Sequence, residues 1–532
     1  MIRRTASGVR LRESANRRDF LHPDLLFFSS KKPPPRGDSG GRPHRQEARP
    51  MQRSNPAGSL LRSVLMLSLS PGLALASSAP NVLALDQLRL VDAERDRVAA
   101  PSCVRIEGRR IARIDKAGRK SCLDGARVVD LPGRYVMPGL IDMHAHLTLG
   151  PMEIKRERGR AAMQALPDDE IAEHNAARLI AFGVTTIRNP GGDLAAAARY
   201  KARLTAGDLT GPESFNAGPV IHNADLPGLA TAARNPEDMA RVVSAQVEAG
   251  ADWIKLYTGL SPALLKAGVE AAHRHDRPAV AHLEAIAWPD ALATGLDGIV
   301  HLMPLSPDLL TAQERTAWQA TARGGTYSFF EWWEHFDPDG ASADRIVTAF
   351  ERHRPVFDAT LVAFHAAFVQ DQDNPYKDDA RRYAHPRLLA HWNDWFTFAI
   401  GWQPEDFERA RAVWPKVQRM AVRLHATGAR MTVGTDMSNP WIAPGISLHR
   451  ELQLLADAGV PANRLLLAAT RNAADALGAG SRLGRVAPGY EADLLILEAN
   501  PLEDIGHTRA IHAVVVDGTL LTAPTLTRLK GQ

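Results

Sequence analysis

Residues 250–304 read GADWIKLYTGLSPALLKAGVEAAHRHDRPAVAHLEAIAWPDALATGLDGIVHLMP. Short apolar runs, DWIKLY (252–257), PAVAHLEA (278–285) and DGIVHLMP (297–304), have the length of buried strands. Between the first two lies LLKAGVEAAHRH (264–275), a helical stretch. Strands that alternate with helices predict a parallel sheet covered by helices. The same texture extends outward in both directions. Upstream come MPGLIDMHAHL (137–147), IAEHNAARLIAFG (171–183), VTTIRNPGG (184–192), DLAAAARYKARLTAG (193–207), SFNAGPVIH (214–222) and DMARVVSAQVEAG (238–250). Downstream comes MTVGTDM (431–437). A strand count near eight favours a closed (β/α)8 barrel over an open sheet, and we place it at residues 138–478.

The two flanks differ from this. Residues 77–137 and 479–532 hold short strands separated by glycine turns, such as VLALDQLRLV (82–91), ADLLILE (492–498) and AIHAVVVDGTLL (510–521). They are expected to meet in one small composite β-sandwich beside the barrel. Residues 325–414 break the β/α rhythm and carry 19 of the chain's 32 Phe, Trp and Tyr. They are too long for one barrel unit, so we read them as a unit with an inserted helical cap, which packs an extra helical layer and can also line a substrate pocket with aromatic surface.

The chain has 532 residues and a formal charge of +4, which invites a search for anionic partners. The charge is unevenly placed: residues 1–76 hold 14 Lys and Arg against 5 acids, so the remainder is mildly acidic. It has no basic stripe, and no nucleic-acid partner is expected. Residues 1–50 read as disordered and as an upstream extension before a true start at Met51. Residues 51–76 combine Arg53 and Arg62 with an apolar run and Ala74-Leu75-Ala76, the pattern of a secretory signal peptide. Pro71 and Arg62 interrupt that run, so no stable membrane span is expected. Export to the periplasm or medium of a bacterium follows, with cleavage near Ala76. Two cysteines exclude a four-thiolate zinc site. Cys103 and Cys122 flank a hairpin, where a disulfide and two free thiols weigh equally.

Chemistry-bearing residues gather at strand ends. His144 and His146 are two apart on a strand, so both imidazoles face one side, at the end where barrels build their sites. His273 and His275 share that spacing but sit in a helix, where about 200° separates them, so they read as surface. Lys255, His282, His301 and Asp436 each end a further strand. One such residue is more often structural; five strands of one barrel so terminated point to a metal site.

With these pieces in view, the chain resembles the amidohydrolase superfamily of metal-dependent hydrolases, in the imidazolonepropionase-like and prolidase-like branch with a carboxylated lysine. PGLIDMHAHL, GVTTIRNPGG, GADWIKLY, VAHLEA, GIVHL, TVGTD and the tail from LLLAATRNAADAL onward carry the resemblance across residues 82–520. It implies a binuclear site, usually of zinc. His144 and His146 would bind one metal, His282 and His301 the other. Lys255, as a CO2-derived carbamate, would bridge them, and Asp436 would bind the first metal and act as the catalytic proton carrier. The expected reaction is hydrolysis of a peptide or N-acyl amide bond by hydroxide that the metals generate from water. His222 and Tyr257 are candidate substrate contacts, and His449 and Glu451 are expected to brace the loop after Asp436. Asn189 departs from the family pattern, which has Asp there. A mononuclear deaminase or cyclic-amide hydrolase is the alternative, and a non-catalytic binding protein the remote one. The partner is a small-molecule amide, and the oligomeric state stays open.

Overall fold

The computed structural model describes residues 82–157, 160–394 and 397–532. The leader at 1–76 lies outside the described residues. The fold is α/β, as the alternation at its centre predicted.

One parallel sheet of three strands runs Glu213–Asn216, Val184–Asn189, Leu140–Asp142. A second of seven runs Ala230–Ala232, Val220–His222, Ile254–Leu256, Ala279–Ala281, Gly298–Val300, Val356–Asp358, Arg430–Thr432. Isolated parallel bridges at Ala145–Met437 and Ala217–Trp253 link the two. The register aligns Leu256 with Ala281, Ala281 with Ile299 and Val300 with Asp358. Parallel strands in this register present all their C-terminal ends on one edge. The residues just beyond those ends, His282 and His301 among them, therefore share that edge.

The covering helices begin where their sequences say they should. Ser261 accepts from the Leu264 amide and Pro262 opens the helix Pro262–Arg274. Asn235 does the same for Pro236–Glu248. Their apolar faces, including Leu265, Val269, Met239 and Val243, enter the large central core.

The two ends of the chain form one mixed eight-stranded sheet. Its order is Thr519–Thr522, Ile511–Val516, Leu494–Leu497, Tyr135–Pro138, Val82–Asp92, Arg97–Glu107, Arg110–Lys116, with Arg127–Asp130 also beside Val82–Asp92. Leu494 and Ile496 face a core with Leu83, Leu85, Val104 and Val136. Leu495 and Leu497 face the large core on the other side. Burial on both faces explains the unbroken run Leu494–Leu497. Cys103 and Cys122 are disulfide-bonded, which decides the pairing that the sequence left open.

The stretch 325–414 holds the helices Ser328–His335, Ala341–His353, Leu361–Phe368, Pro375–Tyr383 and Pro386–Asp394, together with the strand Val356–Asp358, which pairs on both sides in the parallel sheet. An antiparallel hairpin, Leu149–Glu157 with Arg160–Pro167, follows the two strand-end histidines and was not foreseen. Among the described residues no helix is long and apolar enough to cross a membrane.

Candidate active site

The sequence-predicted residues His144, His146, Lys255, Tyr257, His282, His301 and Asp436 line one cavity at the C-terminal edge of the parallel strands. The ligand atoms of His144, His301 and Asp436 lie within 4.8 Å of one another. Asp436 Oδ1 stands 3.4 Å from His144 Nε2 and 3.2 Å from His146 Nε2. The rings of His144 and His301, and of His301 and His282, have centroids 4.6 Å apart. His301 and Asp436 reach these places with left-handed backbones, φ 64° and 63°. Such conformations are uncommon outside glycine and concentrate at functional sites.

Three of the four imidazoles are oriented from behind, while His282 Nε2 stands 3.5 Å from Glu284 Oε1. His144 Nδ1 meets Asp358 Oδ2 at 2.8 Å, His146 Nδ1 donates to the Gly191 carbonyl at 3.0 Å, and His301 Nδ1 pairs with Thr360 Oγ1 at 2.7 Å. With Nδ1 engaged, Nε2 is the nitrogen available to a ligand. Burial, aided by the nearby Lys255, holds His144 well below the ordinary imidazole range. Burial does the same for His301, with His282 and Lys255 adding to it. The lowering favours the neutral form of both, the form that binds a cation.

Lys255 is buried and its Nζ has no hydrogen-bond partner. Burial pulls the amine down to about 7, against the opposing pull of Asp358 and Asp436. Three clustered donor atoms, two further imidazoles and an unpartnered buried amine fit a divalent cation better than an apolar core, where such an amine would be costly.

Sequence reasoning missed the residues that hold this cluster. Asp358, wholly buried, accepts from Arg188 Nη2 at 2.8 Å on Oδ1 while Oδ2 meets His144. Arg188 Nε donates to the Met143 carbonyl at 2.7 Å, and its guanidinium lies over the Trp253 ring. The signal was available: PVFDAT (355–360) is a short apolar strand ending in Asp, like the others.

Other expectations land differently. Tyr257 lines the cavity, its ring 5.0 Å from His282, and burial keeps its hydroxyl protonated far up the pH scale. His222 lies beyond Tyr257, ring centroids 6.0 Å apart, and is not among the lining residues. Its Nδ1 accepts from the Ala224 amide. Asn189 is buried at the end of its strand and also does not line the cavity. His449 and Glu451 do not brace the loop after Asp436. His449 bonds Thr508 Oγ1 and the Phe182 carbonyl, and Glu451 accepts from the Val362 amide, steadying the turn that carries Thr360. His273 and His275 diverge as expected, to Asp297 and Ser244.

Residues 406–521 match the model of the Amidohydrolase family. The chain is 26% identical over 427 residues to the imidazolonepropionase of Chromobacterium violaceum, covering 72% of this chain and 81% of that protein. Among solved structures it resembles an Xaa-Pro dipeptidase with bound methionine, at TM-score 0.60 and 21% identity, over 83% of this chain and all of that one. It also resembles the bottromycin amidohydrolase, at TM-score 0.61 and 24% identity, over 85% and 89% of the two chains.

Proposed function

We propose that this chain, which belongs to the amidohydrolase superfamily and is a hydrolase of carbon–nitrogen bonds, cleaves an amide at a binuclear metal centre on a closed (β/α)8 barrel. The bridges Ala145–Met437 and Ala217–Trp253 support closure of the barrel. In this reading residues 138–478 form the catalytic unit, and 77–137 with 479–532 its companion β domain. A leader cleaved near Ala76 would direct export, and the disulfide Cys103–Cys122 supports an oxidising destination.

His144, His146 and Asp436 would hold one divalent cation, His282 and His301 a second, with Lys255 as a carbamate between them. Bound there, such cations, with zinc the expected ion, acidify water and polarise a carbonyl. The chain supplies the proton traffic and the orientation. Asp436 Oδ1, placed between two imidazoles, can take a proton and deliver it to the departing amine. The Tyr257 hydroxyl, kept protonated by burial, can donate to the substrate carbonyl. The Asp358 carboxylate keeps His144 Nδ1 engaged.

The observation that carries this reading is the Lys255 amine, buried at the cavity without a partner and lowered to about 7, so that a neutral fraction is available to CO2. The test is metal content with activity. About two divalent ions per chain are expected, regained after stripping only when metal and bicarbonate are supplied together, and lost in Lys255→Ala. A second reading, a mononuclear deaminase or cyclic-amide hydrolase, draws on the compact triad His144, His301 and Asp436. One ion per chain with an active Lys255→Ala would select it.

A further inference from the structure

Above the metal-ligand side chains the cavity has a wall of another kind. From His301 it runs through Phe364, Phe329 and Phe398 in successive edge-to-face contacts, with ring centroids 5.8, 5.1 and 6.0 Å apart. These rings come from three separate places: the helix Leu361–Phe368, the helix Ser328–His335 and the turn at residues 397–400. All three face the cavity that holds the catalytic cluster. Leu226 and Leu229 add further apolar lining to the same cavity. Among the described residues this part of the lining carries no charged side chain.

The helices that carry Phe329 and Phe364 are held by contacts outside the cavity. Glu331, on the helix that bears Phe329, pairs with Arg323 at 2.6 Å, and Arg323 reaches Asp406 on the next long helix. Lys416 closes the far end of that helix by donating to the carbonyls of Trp333, Glu334 and Phe336. Glu451 holds the first turn of the helix that bears Phe364. Aromatic surface on helices held in place favours an apolar ligand group at a reduced ordering cost. Because the wall starts at His301, a group seated on it is joined directly to the scissile amide.

We propose that the substrate is an amide bearing a bulky apolar, preferably aromatic, substituent that lies on Phe364, Phe329 and Phe398. This inference rests on the amide-hydrolase reading and narrows it to a substrate class. The test separates binding from turnover, using the zinc-loaded full chain. Calorimetric titration with 3-phenylpropanamide and propanamide should show at least about tenfold tighter binding of the phenyl compound. Phe398→Ala and the milder Phe329→Leu should each shrink that preference severalfold, with the folded state checked by circular dichroism. Equal binding of the two amides, or a preference unmoved in both variants, overturns the proposal. In parallel, kcat/KM is compared for N-(3-phenylpropanoyl)glycine and N-propanoylglycine. Hydrolysis that favours the small acyl group also overturns it while leaving the reaction class standing. Selective binding of the phenyl compound with no hydrolysis of any amide supports the wall and sinks the reaction instead.

Discussion

At the scale of single residues, the centre depends on groups that touch no substrate. Asp358 is the clearest case: one carboxylate oxygen orients His144, the other neutralises Arg188, and both partners are buried. In Asp358→Asn the amide keeps the shape but presents one acceptor to two donors. A buried guanidinium then lacks its counter-charge, at about 3–5 kcal/mol of stability. His144 also loses the group that holds its ring, and metal affinity should fall about 10–100-fold. A chelator competition and a thermal melt of the stripped protein check the two effects separately. Unchanged metal affinity would falsify the orienting role. The His, Lys and Asp that line the cavity were legible in the sequence because a strand end shows its chemistry in one or two letters. Asp358 shows the same signal in PVFDAT, but it was passed over because that short strand sits inside an aromatic, helix-rich stretch. His449 and Glu451 were placed wrongly for a related reason: sequence proximity to Asp436 says nothing about which face of Ile446–Ala458 carries them.

At the scale of elements, strand ends converge so closely that side-chain volume is rationed. Gly434, in the run after the strand Arg430–Thr432, is such a point. A Cβ there would stand 2.6 Å from His144 Cβ and 3.0 Å from the His144 amide nitrogen. Neither atom belongs to a flexible tip, so the two strand ends would have to part. Gly434→Ala should cost about 1–3 kcal/mol and move His144 from its place beside Asp436. We expect loss of bound metal and at least about a hundredfold lower kcat/KM, since small misplacements at a reacting centre are expensive. Full metal occupancy with wild-type kcat/KM would show that the strands have room to spare. The glycine could be read as part of TVGTD, but its reason could not, because close approach is a property of two segments. The hairpin Leu149–Glu157 and Arg160–Pro167 was equally hidden. Its middle, IKRERGRAAM (154–163), shows no apolar alternation to announce a strand.

At the scale of the whole molecule, the parallel β/α region was readable from periodicity alone, and the joining of the chain ends from their shared texture. What the sequence could not display is how tightly those ends grip the site. The strand Leu494–Leu497 pairs with Tyr135–Pro138, and the Asp493 carbonyl accepts from the Gly139 amide at 2.8 Å. One residue later Leu140 opens the strand that leads to His144. On its other face Leu495 packs where a Cβ on Gly183 would meet it at 2.6 Å, and the Gly183 carbonyl receives the Leu140 amide. The terminal sheet and the strand that leads to His144 thus share backbone bonds and core, so they should not unfold separately. Leu495→Ala opens a void in that shared core and should cost about 2–5 kcal/mol. Two independent units would confine the loss to one of two calorimetric transitions. The shared core instead predicts one transition that moves down as a whole, with metal release following the same curve. Ending the chain at residue 478 exposes the apolar edge of Tyr135–Pro138, and that protein should be insoluble or unable to retain metal. A soluble, metal-loaded truncated chain, or a second transition untouched by Leu495→Ala, would show that the catalytic region stands without its ends.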